Sequence, residues 1–541
     1  MKEGNGRPSR KNKRSAPHDR LADRAGRRKG RALKRQRFGE YRGYRRAGIR
    51  LKEAPMDGMP TGSSVSDPAH LLACHAFDKA HLVMLAEERL IPRRDAAAML
   101  ASLRALNRGD PARALAEAGG GIHAGEQYLI RKLSEGVGGR IHLGRSSGDL
   151  DRTAAKIRQR DGLLALMESV NVLRSVLLKE ARRHADCVLP GYTHGQQAQP
   201  LTLGFMLLHW AAALARDFRR LLSAWHNINV SPAGAGILTG SDFPLNRHRV
   251  AELLGFSAPH ENAMDAVHSA DDLLEAFAAV TILQANLGRW ANDLIFLAGS
   301  DLAMVELPDR FCSISSIMPQ KKNPVALEHI RGSGAGTLGG LVGAFGAEAG
   351  PTGLAAFPRY HGAAPALLKA FALASRDLGW LAEIVAGLTV DRKKAAVAAG
   401  SLWATASDLA GALVRLRGLP WRTAHQIVGI LVRICIERDV APQQVTPALL
   451  EEAAIAYMAR PLRLTAAQIA GALDPQASVR RRTLYGGPAA PETRRRCVAF
   501  GRDLVEDQVR LAGLRDELAA AVAKLEQAID RILTDEKSAE K

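Results

Sequence analysis

Between Asp151 and about Asp186 the apolar residues Leu163, Leu166, Val170, Leu173 and Leu177 recur at alternating spacings of three and four. Side chains spaced this way form one stripe along an α-helix, and a stripe of that length is a seam that other helices must cover. A second long helix follows Pro200, and a third runs from about Met264 to Leu297. Within the third, Ala276 to Gly288 carries no charge, and a helix apolar all round has to be enclosed by others. A fourth begins at Pro324, well placed for a first helical turn, and continues through Gly-rich sequence to about Gly350. Four helices of roughly 25 to 35 residues exceed the usual ~10 to 14, and their apolar faces outnumber what one bundle can hide. An oligomer built by bundle packing is expected. Aromatic residues are only 5% of a chain that is 47% hydrophobic, so strands are scarce and the class is all-α.

The 541 residues suffice for two or three domains. Residues 1–66 read as a basic disordered extension and linker, 67–150 as an N-terminal helical domain, 151–390 as the central long-helix bundle, and 391–541 as a C-terminal helical domain. A looser helical region is expected after about Leu354. The net charge of +20 is concentrated: residues 1–55 hold 20 Lys and Arg against 5 Asp and Glu, which accounts for 15 of the 20 excess charges. Such a segment buries too little apolar surface to offset its ordering entropy. It reads as a solvated tail, as a stretch translated upstream of a start at Met56 or Met59, or as an arm for an anionic surface; nucleic acid enters only through that last reading. Apolar runs are broken by charges before the roughly 18 residues of a membrane span. The basic N-terminus lacks a secretory apolar stretch, and five scattered cysteines lack CxxC spacing. A reducing cytoplasm is expected, with no metal.

Three polar islands interrupt this background. The first is His142-Leu-Gly-Arg-Ser-Ser-Gly-Asp149 at the head of the first long helix, where an exposed helix N-terminus suits an anion. The second, Gly191-Tyr-Thr-His-Gly-Gln-Gln-Ala-Gln-Pro200, puts Thr193, His194 and Gln199 just before the second long helix. The third is Ser313-Ile-Ser-Ser-Ile-Met-Pro-Gln-Lys-Lys-Asn-Pro324. Each alone has a bland reading, such as a capping histidine or a solvated Ser/Lys loop. The Gly-rich patches Ala233–Gly240 and Gly332–Gly340 match no phosphate-cradle spacing and read better as close packing or loop flexibility.

Together the islands resemble the three signature regions of the fumarase and aspartase superfamily, most closely argininosuccinate lyase. Ser315-Ser-Ile-Met-Pro-Gln-Lys-Lys-Asn-Pro324 matches the pattern Gly-Ser-Ser-x-Met-Pro-x-Lys-x-Asn-Pro except at the first position, where Ile314 stands. Gly191-Tyr-Thr-His194 with Gln197-Ala-Gln-Pro200 resembles the second region. The likeness continues through Glu306-Leu-Pro-Asp309, Ala424-His-Gln-Ile-Val-Gly429 and Leu473-Asp-Pro-Gln-Ala-Ser-Val479, and so covers roughly residues 75 to 490. It implies a fumarase/aspartase-type three-domain fold with a central long-helix bundle, assembling into a homotetramer with shared active sites. It also implies β-elimination of an N-substituted aspartate to fumarate and an amine, without a cofactor, argininosuccinate being the leading single substrate. Removing a proton next to a carboxylate creates a dianion that needs cations and donors. The resemblance assigns Ser315 as base, Lys321 and Asn323 to the developing charge, His194 to the departing nitrogen, and Glu328 as its carboxylate partner. Ser146, Thr193 and Gln199 would hold substrate carboxylates.

The departures bear on substrate. Where argininosuccinate lyases read Gly-Arg-Ser-Arg-Asn-Asp, this chain reads Gly144-Arg-Ser-Ser-Gly-Asp149, which loses an Arg and a substrate-binding Asn. The family's Tyr-Asn-x-Asp-x-Gln-type segment has no counterpart in Ala355-Ala-Phe-Pro-Arg-Tyr-His-Gly362, and Ile314 stiffens the signature loop. Two other readings stand beside true argininosuccinate cleavage. One is a paralogue splitting a different N-substituted succinate; the other is a catalytically silent homologue with a structural role, as in the lens crystallins.

Overall fold

A computed structural model describes residues 67–349 and 363–539; the basic N-terminal segment and Ala355–Gly362 lie outside them. The described chain is overwhelmingly helical, with only short two-stranded pairings. Its axis is the helix Ser147–Arg183, 37 residues long. It starts four residues before the expected Asp151 because Ser146 caps it. The Ser146 N–H donates to Asp149 Oδ1 at 2.8 Å while Ser146 Oγ accepts from Gly148 N at 3.4 Å. All five seam residues, Leu163 to Leu177, are fully buried. Each such side chain contributes roughly 1.5–3 kcal/mol, so packing holds this helix together more than propensity does.

The helices Leu203–Ile228 and Ala363–Ala386 pack against it, and Asp271–Ala298 packs on both of these and on Val325–Ala349. The third expected helix starts at Asp271, not Met264. A separate turn, Ala263–His268, precedes it, and the break falls at Ser269, which is extended with its hydroxyl turned to the Asp271 carboxylate. In place of a looser region, 363–386 is one regular helix. Its buried Leu367, Ala370, Phe371, Ala374, Leu378 and Leu381 keep helical spacing. The Gly-rich 325–349 helix runs antiparallel to 271–298. A Cβ on Gly340 would stand 2.7 Å from the Phe277 ring, so close packing accounts for this glycine.

Three large apolar cores result, beside a small cluster of Val188, Ala399 and Val479. The central one joins the bundle helices, and a second gathers residues 71–154 with 233–256. The third is made within residues 409–473. The last helix, Ala490–Ala539, is 50 residues long; its Cys497, Leu504, Leu511 and Leu514 enter the central core, and its Leu525, Ala528, Ile529 and Ile532 the second. No helix among the described residues is long and apolar enough to cross a membrane.

Candidate active site

The second island folds as a hairpin between Val188–Thr193 and Gln196–Thr202, with Thr193 paired to Gln196. That register leaves a two-residue turn, His194-Gly195, with φ of +56° and +71°. Two left-handed residues define the turn whose twist suits a hairpin. Glycine takes the second place at no steric cost, while histidine accepts some strain at the first. His194 is thereby held exposed at a rigid tip, next to exposed Thr193. Gln199 is exposed too, and its amide Nε2 donates to Ser407 Oγ at 3.0 Å.

The third island is a second, smaller hairpin. Ser313 pairs with Asn323 and Ile314 with Lys322, so Ser315 and Lys321 face each other across the root of the loop. Ser315 Oγ accepts from the N–H groups of Ile317 at 3.3 Å and Met318 at 3.1 Å. The loop beyond is open: Ile314 and Ile317 are 82% and 83% exposed. Lys322, not singled out in the sequence, fixes its base. Its Nζ donates to Asp309 Oδ1 at 2.6 Å, Glu306 Oε1 at 3.0 Å and the Leu307 carbonyl at 2.7 Å. The hydrogen bond to Asp309 raises the Lys322 pKa. This explains physically why Glu306-Leu-Pro-Asp309 accompanies the signature loop. Glu328 lies exposed in the first turn of the helix that follows.

The first island is the most buried. The Arg145 guanidinium is fully enclosed and paired with Asp78. Asp149, 0% exposed, accepts from Ser146 N and from Gly234 N at 2.9 Å, which ties the island to the 233–240 loop. Burial pushes its pKa up to about 6 against those backbone donors. His123 Nε2 lies 2.9 Å from Ser147 Oγ, and His142 Nδ1 lies 2.7 Å from Glu126 Oε2. His123, Glu126 and His142 have ligand atoms within 4.8 Å of one another, as a metal would require. Arg145 Nη2 stands 4.0 Å from the same Glu126 carboxylate, and its charge opposes a cation there.

The bundle decides which islands meet. Tyr192 packs edge-on against Phe296 at 4.9 Å, and Trp210 stacks on Trp290 at 5.4 Å. The second island therefore sits at the C-terminal end of 271–298, where the antiparallel 325–349 helix begins and the third island lies. The first island is at the opposite end of the 37-residue helix, roughly 55 Å away at about 1.5 Å per residue. Within one chain Ser146 cannot reach His194 or Ser315. No hydrogen bond or ion pair joins His194 to Glu328 among the described residues.

This architecture has known counterparts. The family described as "Lyase" matches residues 78–339. A crystal structure of EDDS lyase in complex with formate superposes with a TM-score of 0.79 at 29% identity, covering 87% of this chain and 93% of that one. Fold and signature hairpins together define an all-helical lyase of the fumarase/aspartase type. The argininosuccinate lyase of Methanothrix thermoacetophila is 36% identical over 474 residues, which is 84% of this chain and 92% of the relative. That of Methanoculleus marisnigri is 37% identical over 422 residues, 76% of this chain and 83% of the relative. Residues 403–480 match the family described as "Argininosuccinate lyase C-terminal". The chain belongs to the argininosuccinate lyase family, and it is a carbon–nitrogen lyase.

Proposed function

We propose that the protein cleaves an N-substituted aspartate by β-elimination, with Ser315 as the base. The Ser315 oxygen takes the proton next to the substrate carboxylate, and the electron pair passes into that carboxylate as the dianion forms. Lys321 and Asn323 stabilise the new charge. The carbon–nitrogen bond then breaks, fumarate leaves, and His194 delivers a proton to the amine, oriented by Glu328 from another subunit. Ser146, Thr193 and Gln199 hold substrate carboxylates. The observation that carries this reading is the pair of backbone N–H groups aimed at Ser315 Oγ, a setting that favours a negative oxygen at the loop root.

Because the first island lies at the opposite end of the bundle from the other two, the reading needs different subunits to complete each site, and the assembly proposed is the homotetramer that the family resemblance implies. Exposed Ile282, Leu338, Val342 and Phe345 on two adjacent bundle helices supply an apolar face for it. By the names of its relatives, argininosuccinate stands first among single substrates, giving arginine and fumarate in arginine biosynthesis in the cytoplasm. The second reading, a different N-substituted succinate, is favoured by Ser147 and Gly148, which lack the family's Arg and Asn.

Ser315→Ala tests the mechanism. Loss of a positioned base lowers turnover about 100- to 10,000-fold, with ligand affinity nearly unchanged because the carboxylate contacts remain. The two backbone bonds make Ser315 a turn cap as well. A variant whose melting temperature drops while turnover stays within a few-fold would leave it only that role.

A further inference from the structure

The hairpin that carries His194 is held by residues from the C-terminal part of the chain. Gln199 Nε2 donates to Ser407 Oγ at 3.0 Å, and Ser407 lies in the first turn of the helix Ala406–Arg417. Two residues back along the same strand, the Gln197 amide nitrogen donates to the carbonyls of Ala398 and Ser401 at 3.1 and 3.2 Å. Between these two contacts the chain turns through Leu402 and Trp403, with φ of +48° and +63°. Two successive non-glycine residues in the left-handed region are strained, and they persist only where their surroundings fix them. The fixing contacts come from the 473–482 stretch. Thr405, fully buried, donates through Oγ1 to the Leu473 carbonyl at 3.1 Å. Asp408, also buried, accepts from Ser478 Oγ at 2.8 Å and takes one bond on each oxygen from the Arg482 guanidinium, at 3.1 and 3.0 Å. At the start of the hairpin, Val188 meets Ala399 and Val479 in the small apolar cluster, which joins the strand to the helices Arg392–Ala399 and Pro475–Arg481.

We infer that Ser407 is a positioning residue for the elimination: it holds the His194 hairpin through Gln199, and the Asp408–Arg482 fork holds the turn that carries Ser407. The inference rests on the lyase reading above and adds to it a task for the C-terminal region. A buried carboxylate gripped at both oxygens by a guanidinium is fixed in direction, and Ser407 is its neighbour in that turn. The Gln199 amide has two N–H bonds; one goes to Ser407, and the other remains for the carboxylate role given above. The turn at His194 joins two paired strands, so a shift of Gln199 is carried to His194. A displacement of about 1 Å in a group that takes part in the chemistry can cost on the order of 100-fold in rate.

The test compares the full chain with Ser407→Ala, Ser407→Thr, Gln199→Ala and the double variant Gln199→Ala/Ser407→Ala. Each is assayed for fumarate release from whichever N-substituted aspartate the wild type splits fastest. Ser407→Ala lowers kcat about tenfold, with KM and melting temperature little changed. Ser407→Thr, which keeps the hydroxyl, returns kcat to near the wild-type value. In the Gln199→Ala background, loss of the hydroxyl adds nothing, as expected of two residues that act through one contact. A Ser407 that only stabilised its own helix would lower the melting temperature in both backgrounds and leave kcat alone. The inference is overturned if Ser407→Ala keeps kcat within about twofold of wild type, if Ser407→Thr does not rescue it, or if the two losses multiply in the double variant. A wild type that releases fumarate from no adduct overturns the lyase reading, and this inference with it.

Discussion

His81 stacks on Phe77 at 5.6 Å and meets the Leu143 carbonyl through Nε2 at 3.0 Å, just before Gly144 and Arg145. Burial pushes its pKa down to about 3, and that of His75 down to about 4. Both are neutral when folded but titrate near 6.5 when unfolded. Their stabilising contribution is therefore complete above about pH 6.5 and is lost as pH falls toward their folded values, at up to about 1.4 kcal/mol per pH unit for each. His81→Gln, which keeps a donor for Leu143, should flatten the acid limb of stability between pH 6.5 and 4 in denaturant titrations. An unchanged slope would assign the acid sensitivity elsewhere. At this scale legibility depended on whether a role is local. Ser315, Lys321 and His194 stand out as candidates because their neighbours in sequence carry the pattern. Lys322 and His123 meet partners remote in the chain, Glu306 and Asp309 for the first and Ser147 for the second, and no spacing announces those meetings.

The hairpin carrying His194 is aimed by the helices that flank it, and at Gly204 their backbones lie close together. A Cβ there would stand 2.7 Å from Ala185 Cα and closer still to the Ala181 carbonyl. Backbone cannot yield as a flexible side chain can, so Gly204→Ala should push the 147–183 and 203–228 helices apart. The expected cost is about 1–3 kcal/mol, read as a lower melting temperature together with reduced turnover. Full activity at unchanged stability would mean that the hairpin is positioned without this contact. The long helices were legible because their seams repeat over many turns, and the Ser146 cap lay within the first island. The hairpins were not. Gln196 to Thr202 mixes Gln, Ala and Pro without the alternation that marks a strand, and its pairing is set by the turn at His194 and the helices on either side.

For the whole molecule, the charge-free stretch Ala276–Gly288 predicted a helix covered on every side. In the single chain Ile282 stays 42% exposed, next to the open Leu338, Val342 and Phe345 of the 325–349 helix. Contiguous apolar surface of this kind marks an interface. Val342→Glu should split the proposed tetramer, seen as a smaller species in light scattering, and abolish fumarate release while the helical signal survives. A variant that stays assembled and active would remove this face from the assembly.

The 50-residue final helix sets the order in which a growing chain can mature. Residues 409–473 close their own core with neighbours in sequence, so this part can settle while the ribosome is still at work. The other two cores draw side chains from Cys497 to Ile532 and stay incomplete until the last turns are made. A nascent chain therefore waits with two unfinished apolar surfaces, and the loss of even a few C-terminal turns falls on residues made early, those around Phe77 and Leu100, far from the cut in sequence.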